Sequence, residues 1–196
     1  MVTAEQARGL GVSRVDIARL LGDGSLERVD GAARVYRLTG SPPEPELDGL
    51  RAAWLQLGAW APSSVRVRRP DAVVSHRSAA VALGLGDLLA DVHEFYVVHR
   101  KQPRRADLRL RIRPNLPPED WSVVHGLPVC SARRIVGDLL AEREDESALA
   151  RICQDAMAFG LLSLAELAIL VTPHAKAYGH DSWSELAMTL SGADAE

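Results

Sequence analysis

Thr3-Ala-Glu-Gln-Ala-Arg-Gly-Leu-Gly-Val-Ser-Arg-Val-Asp-Ile-Ala-Arg-Leu-Leu-Gly22, followed by Leu26-Glu-Arg-Val-Asp-Gly-Ala-Ala-Arg-Val-Tyr-Arg-Leu38, decides how the N-terminal part of the chain is read. Thr3 with Gln6, and Ser13 with Asp16, are spaced as capping boxes, so each marks the start of a helix. Gly9 and Gly11 free the backbone for a sharp turn between the two helices, and Val12 supplies an apolar plug. Ile17, Leu20 and Leu21 recur at i, i+3 and i+4 and predict the inward face of the second helix. Its other side then carries Val15, Ala18 and Arg19, with Arg14 on the flank.

Leu26 to Val29 and Arg34 to Leu38 alternate as two short strands around Asp30-Gly31, a hairpin turn signal. Helix, turn, helix and arginine-bearing hairpin in this order predict a winged helix-turn-helix that binds duplex DNA. On that reading Arg14, Val15 and Arg19 meet base edges in the major groove. Ser13 caps the reading helix and touches the DNA backbone, and Arg28 and Arg34 engage phosphate or the minor groove. Only Met1 and Val2 precede Thr3, so either a helix before it is missing or a later one, such as Pro45 to Gly58, covers the exposed apolar face.

Gly40-Ser-Pro-Pro-Glu-Pro-Glu46 is stiffened by proline, which divides the chain into a winged domain over 1–40, a linker over 41–46 and a second domain over 47–196. The helix from Pro45 to Gly58 places Leu47, Leu50, Trp54 and Leu57 on one stripe, with Trp54 in the core. Asp71 to His76 reads as a buried strand leading into a helix from Ser78 to Leu83. Strands follow at His93 to His99, Leu108 to Arg113 and Trp121 to Val124, then helices after Val129, at Ser147 to Phe159, after Ser163 and after Ser182. The fold class expected is α+β: an N-terminal winged helix-turn-helix followed by a mixed domain ending in helices.

With 196 residues and 47% hydrophobic content the chain can bury one or two cores, and no apolar run approaches bilayer length. Without a signal peptide, and with Cys130 and Cys153 too isolated for disulfides or zinc, the expected location is the cytoplasm, away from membranes. The net charge of −3 is unevenly spread. The span from Arg66 to Arg113 is basic, whereas Glu142, Glu144, Glu146, Asp155, Glu166 and Glu185 make the later part acidic. On the strand Leu108 to Arg113, Arg109, Arg111 and Arg113 share one face. With Arg77, Arg104 and Arg105 they are candidates to follow a DNA backbone or an acidic partner, the alternative being a solvated outer face.

No catalytic constellation is read. Ser75 and His76 invite a nucleophile pair, but neighbours leaving a strand point to opposite faces. The structural reading has Ser75 or Ser78 capping a helix, His76 bonding locally and Arg77 meeting an acid or phosphate. His174 and His180 lack the spacing of a helical metal pair. Gly84-Leu-Gly86 is too short for a phosphate loop and reads as a helix end. Neither an enzyme, a metal nor a cofactor is expected.

The opening motif, Val73-Val-Ser-His-Arg-Ser-Ala-Ala80, and the stretch from Gly126-Leu-Pro-Val-Cys-Ser-Ala-Arg133 to Asp138 together resemble the AbiEi family of antitoxins over nearly the whole chain. Cys130 and Arg134 stand where that family usually has threonine. The resemblance implies a winged-helix regulator that represses its own operon and counteracts a nucleotidyltransferase-like toxin. It binds double-stranded promoter DNA, with two copies on repeated or inverted half-sites. The alternative is a neutraliser that binds the toxin directly and has little DNA specificity.

Overall fold

Thr3 and Ser13 both close capping boxes in the computed structural model, which describes residues 1–58, 60–102 and 105–193. Gln6 N donates to Thr3 Oγ1 at 3.0 Å while Thr3 N donates to Gln6 Oε1 at 3.0 Å. Asp16 N donates to Ser13 Oγ at 3.1 Å, and Ser13 N to Asp16 Oδ2 at 2.9 Å. After β1 (Val2–Thr3), these caps start α1 (Ala4–Gly9) and α2 (Arg14–Gly22). The turn between the helices is closed by Val12 N donating to Ala7 O at 3.0 Å, and Gly11 takes φ +85, a conformation that favours glycine.

The hairpin comprises β2 (Leu26–Arg28) and β3 (Val35–Leu38), and β1 joins it to give the antiparallel order β1-β3-β2. Arg28 pairs with Tyr36 and Thr3 with Val35. The connection is one residue longer at each end than the expected 30–33: it spans 29–34, with Gly31 at φ +68 and Arg34 at φ +61. Ala7, Ile17, Leu26 and Tyr36 form a small apolar cluster beneath the two helices.

The other side of the hairpin is covered by α3 (Pro45–Leu57), which packs on β1 and β3 and also on the larger sheet. Ala32 and Val35 therefore share one apolar cluster with Leu47, Leu50 and Trp54. Arg37 bonds Asp48 at 2.5 Å, and Gln56 Nε2 donates to Ala33 O at 2.8 Å, fixing the hairpin to α3 by side chains as well. Trp54 is buried as expected, its indole N–H donating to Ala72 O at 3.0 Å.

Beyond α3 come α4 (Ser63–Arg66), β4 (Ala72–Val74), α5 (His76–Leu83), β5 (His93–Val97), β6 (Leu108–Ile112), β7 (Trp121–Val124) and β8 (Leu127–Cys130). The chain then runs through α6 (Ala132–Ala141), α7 (Glu146–Ala158), α8 (Leu164–Val171) and α9 (Trp183–Ser191). The strands form one sheet in the order β6-β5-β4-β8-β7; β4 and β8 are parallel, as are β5 and β6, and the other pairs are antiparallel. This is an α+β protein. Gly84 ends α5 in the left-handed conformation, and Ser163 with Glu166 closes a further capping box at α8. Among the described residues no helix is long and apolar enough to cross a membrane.

Candidate functional site

The two N-terminal helices and the hairpin enclose a concavity of about 640 Å³ whose walls carry Ser13, Arg14 and Arg28, with Arg8 from α1 and Arg34 from the hairpin turn. Ile17 is buried and anchors α2, so helical geometry sends Val15 and Arg19 outward, while Arg14, one turn before Ile17, is exposed at the start of the helix on the wall of the concavity beside Ala18. All four are exposed, Val15 to 77%. Neither Arg14 nor Arg19 forms an ion pair among the described residues. Arg28 lies with its guanidinium carbon 5.9 Å from the centre of the Tyr36 ring, and Arg34 bonds Glu5 at 3.1 Å on the exposed surface.

Ser13 does more than start α2. Its hydroxyl and backbone bonds hold the Asp16 carboxyl below the usual carboxylate range, so the acid stays ionised against the helix N-terminus. The six residues read from sequence as one surface, Ser13, Arg14, Val15, Arg19, Arg28 and Arg34, are thus all exposed on the same small module. Arg8 was missed. One helical turn from Glu5, it was legible as a further basic side chain on the α1 face of the same concavity.

The second basic set behaves differently. Arg109, Arg111 and Arg113 do share a side of β6, but acids from neighbouring elements meet that side, so it is neither bare nor simply solvated. Arg111 bonds Glu94 at 3.0 Å and also Glu142. Arg113 bonds Asp120 at 3.0 Å and lies 5.2 Å from the Tyr96 ring centre. Arg77 forms a two-pronged pair with Glu144 at 2.7 and 2.8 Å, and Arg105 is held by Asp107 and Gln56. Arg109 is the most open of the β6 arginines, its side chain 60% exposed and 3.5 Å from Glu94. Arg104 falls outside the described residues. Period-two alternation shows that the arginines share a face but is silent about Glu94, which reaches that face from the adjacent strand.

Around His76 lies a buried polar network. The expectation that Ser75 and His76 point apart is overturned: Ser75 Oγ and His76 Nδ1 are 2.9 Å apart. His76 takes φ +51 at the first position of α5, and that left-handed kink redirects its ring beside the preceding hydroxyl. Ser75 holds the cap position without a side-chain capping bond, and Ser78 instead donates to Val92 O at 3.1 Å and accepts from Glu94 N at 2.9 Å. Burial lowers the His76 pKa and favours the neutral ring. Ser75 is fully buried and His76 only 3% exposed, so a substrate has no approach to this pair. No buried side-chain N or O atom lacks a hydrogen-bond partner among the described residues, and the network reads as structural.

Cys130 and Cys153 are buried free thiols, and burial pushes both pKa values up, that of Cys153 to about 12. His180 bonds Glu146 at 3.2 Å. Among the described residues no group of three or more His, Cys, Asp or Glu side chains is arranged to hold a metal.

No protein-family model matches the chain, and no curated protein does. Among solved structures, the crystal structure of the RV2827C protein from Mycobacterium tuberculosis is similar, at 16% sequence identity and a TM-score of 0.53. The alignment covers 97% of this chain and 71% of that one. At that identity the likeness is one of fold.

Proposed function

We propose that the chain is a winged helix-turn-helix DNA-binding protein that represses its own promoter and serves as the antitoxin to a nucleotidyltransferase-like toxin, as its resemblance to the AbiEi family implies. One observation carries the DNA-binding part: α2, anchored by Ile17, turns Val15 and Arg19 outward and exposes Ala18 and Arg14 at its sides, Arg14 on the wall of the concavity, with neither arginine engaged in an ion pair among the described residues. The order β1, α1, α2, β2, β3, the sheet order β1-β3-β2 and a hairpin bearing Arg28 and Arg34 support the same reading. α3, packed on β1 and β3, covers the side of the hairpin that carries Ala32 and Val35.

In this mechanism Arg14 and Arg19 enter the major groove, where a guanidinium forks onto the O6 and N7 of guanine. Val15 and Ala18 are small enough to let the helix approach base edges. Ser13, Arg28 and Arg34 bind the sugar-phosphate rails and set the register. Because one module covers a short site, two copies on repeated half-sites supply the specificity. Arg77, Arg105, Arg111 and Arg113 are occupied by acids, which leaves the N-terminal module as the main DNA contact.

The test is fluorescence anisotropy with the promoter fragment upstream of the gene. A labelled fragment that resists competition by unrelated duplex of equal length is the expected result, and competition at equal concentration would remove the repressor function.

A further inference from the structure

Trp60 is 80% exposed, and the loops around it are basic. It belongs to the segment between α3 and β4, which is built on a buried cation. Arg66 stacks on Trp54 with its guanidinium carbon 4.0 Å from the ring centre, donates to Trp54 O at 2.8 Å and bonds Asp71 at 2.8 Å. Lys101, from the segment between β5 and β6, donates to Leu57 O at 2.7 Å and to the other Asp71 oxygen at 2.5 Å. Val98 N donates to Asp71 O at 3.2 Å. Residues 57–58, 66–71 and 98–101 are therefore tied together by these bonds, and the Asp71 carboxylate, though 41% exposed, is paired with both Arg66 and Lys101.

What the knot leaves outside is cationic. Arg68, Arg69 and Arg100 are exposed and form no ion pair among the described residues, and Val65 is 59% exposed. A cleft of about 570 Å³ at the same end of α3 is lined by Gln56, Leu57, Gln102 and Arg105 and, from the N-terminal module, by Glu5 and Arg34.

We infer that this surface binds single-stranded nucleic acid, with an unpaired base stacked on Trp60 and the phosphates following Arg68, Arg69 and Arg100. A charged loop alone would fit any polyanion. The indole decides the class, because a base inside a duplex already has both faces covered by its neighbours, whereas an unpaired base gains a stacking partner. Duplex bound through its phosphates leaves Trp60 idle in water. The segment touches the N-terminal module through α1, where Gln6 Nε2 donates to Ala61 O at 2.7 Å, but Trp60, Arg68, Arg69 and Arg100 are not residues of α2, and the inference does not rest on promoter recognition.

The experiment titrates the full chain into fluorescein-labelled oligo-dT and oligo-rU and, separately, a mixed-sequence duplex of equal length. The single strands bind more tightly and quench tryptophan emission. Trp60→Ala weakens single-strand binding by about 5- to 150-fold, the range for losing one stacked base. Trp60→Phe retains most of it, and an Arg68→Ala, Arg69→Ala variant flattens its salt dependence. Arg14→Ala with Arg19→Ala weakens it far less than Trp60→Ala does. All the substituted side chains are exposed, and an unaltered melting temperature shows that the fold is kept. Wild-type affinity in Trp60→Ala, duplex bound as tightly as single strand, or equal loss in the Arg14, Arg19 variant each overturns the inference.

Discussion

Arg34, in the hairpin turn, bonds Glu5, in the first turn of α1, with Nη1 3.1 Å from Oε1, and the two residues line the same arginine-walled concavity. Glu5 is thus an internal substitute for the phosphate that Arg34 is proposed to meet. The pair is exposed on the Arg34 side, so it contributes at most about 1 kcal/mol to stability. Glu5→Gln leaves the melting temperature nearly unchanged, tightens promoter binding and steepens its dependence on salt by up to about one unit of log slope. A salt titration of the variant that overlays the wild type would show that Arg34 makes no phosphate contact.

Arg66→Ala removes a guanidinium that is 4% exposed and serves Trp54 and Asp71 together. Asp71 keeps Lys101, which limits the damage, but the face of Trp54 and a carbonyl lose their partner. The expected loss is about 3 kcal/mol. Urea unfolding measures it, and a loss within experimental error would mean that the cation contributes no net stability.

The capping boxes at Thr3, Ser13 and Ser163 were legible because each is a contact between residues three apart, set by local chemistry. The stripe that buries Leu47, Leu50 and Trp54 was legible from helical period. What stayed hidden depends on partners distant in sequence. Glu94 gathers Arg111, Arg109 and the Arg77 amide only once β5 and β6 run parallel, and alternation within β6 is the same whichever acids lie beside it. Ser75 and His76 were misread because the period-two rule assumes extended backbone on both residues, and His76 has left it. The outward side of α2 was readable from Ile17, Leu20 and Leu21 alone, since that inference never leaves one short helix.

Burial lowers the pKa of both His76 and His93 below the ordinary value of about 6.5. His76 is also influenced by Asp138, Arg111, Glu142 and Glu94, and His93 by Arg105 and Asp107. A lowered histidine pKa means that the unfolded chain binds more protons, so stability is complete above about pH 6.5 and declines as the pH falls toward the folded values. Thermal melts from neutral to mildly acidic pH should show a falling midpoint. His76→Asn, whose side chain tolerates φ +51, should flatten that decline and leave the part due to His93. An identical pH profile in the variant would exclude His76 as a source.

Cys130 and Cys153 are 2% and 0% exposed and held as thiols by burial. The native chain is therefore expected to resist iodoacetamide at neutral pH and to take up two equivalents once unfolded in urea. Rapid native labelling of either, followed by mass spectrometry, would place that thiol at the surface.

Promoter recognition turns on the exposed arginines of α2, and the promoter gel-shift of an Arg14→Ala, Arg19→Ala variant tests it most directly. Each arginine that reads a base contributes about 1 to 3 kcal/mol, so the double variant should form the sequence-specific complex only at more than about tenfold higher protein concentration, with its melting temperature intact. A specific complex that forms at the wild-type concentration would contradict promoter recognition by α2.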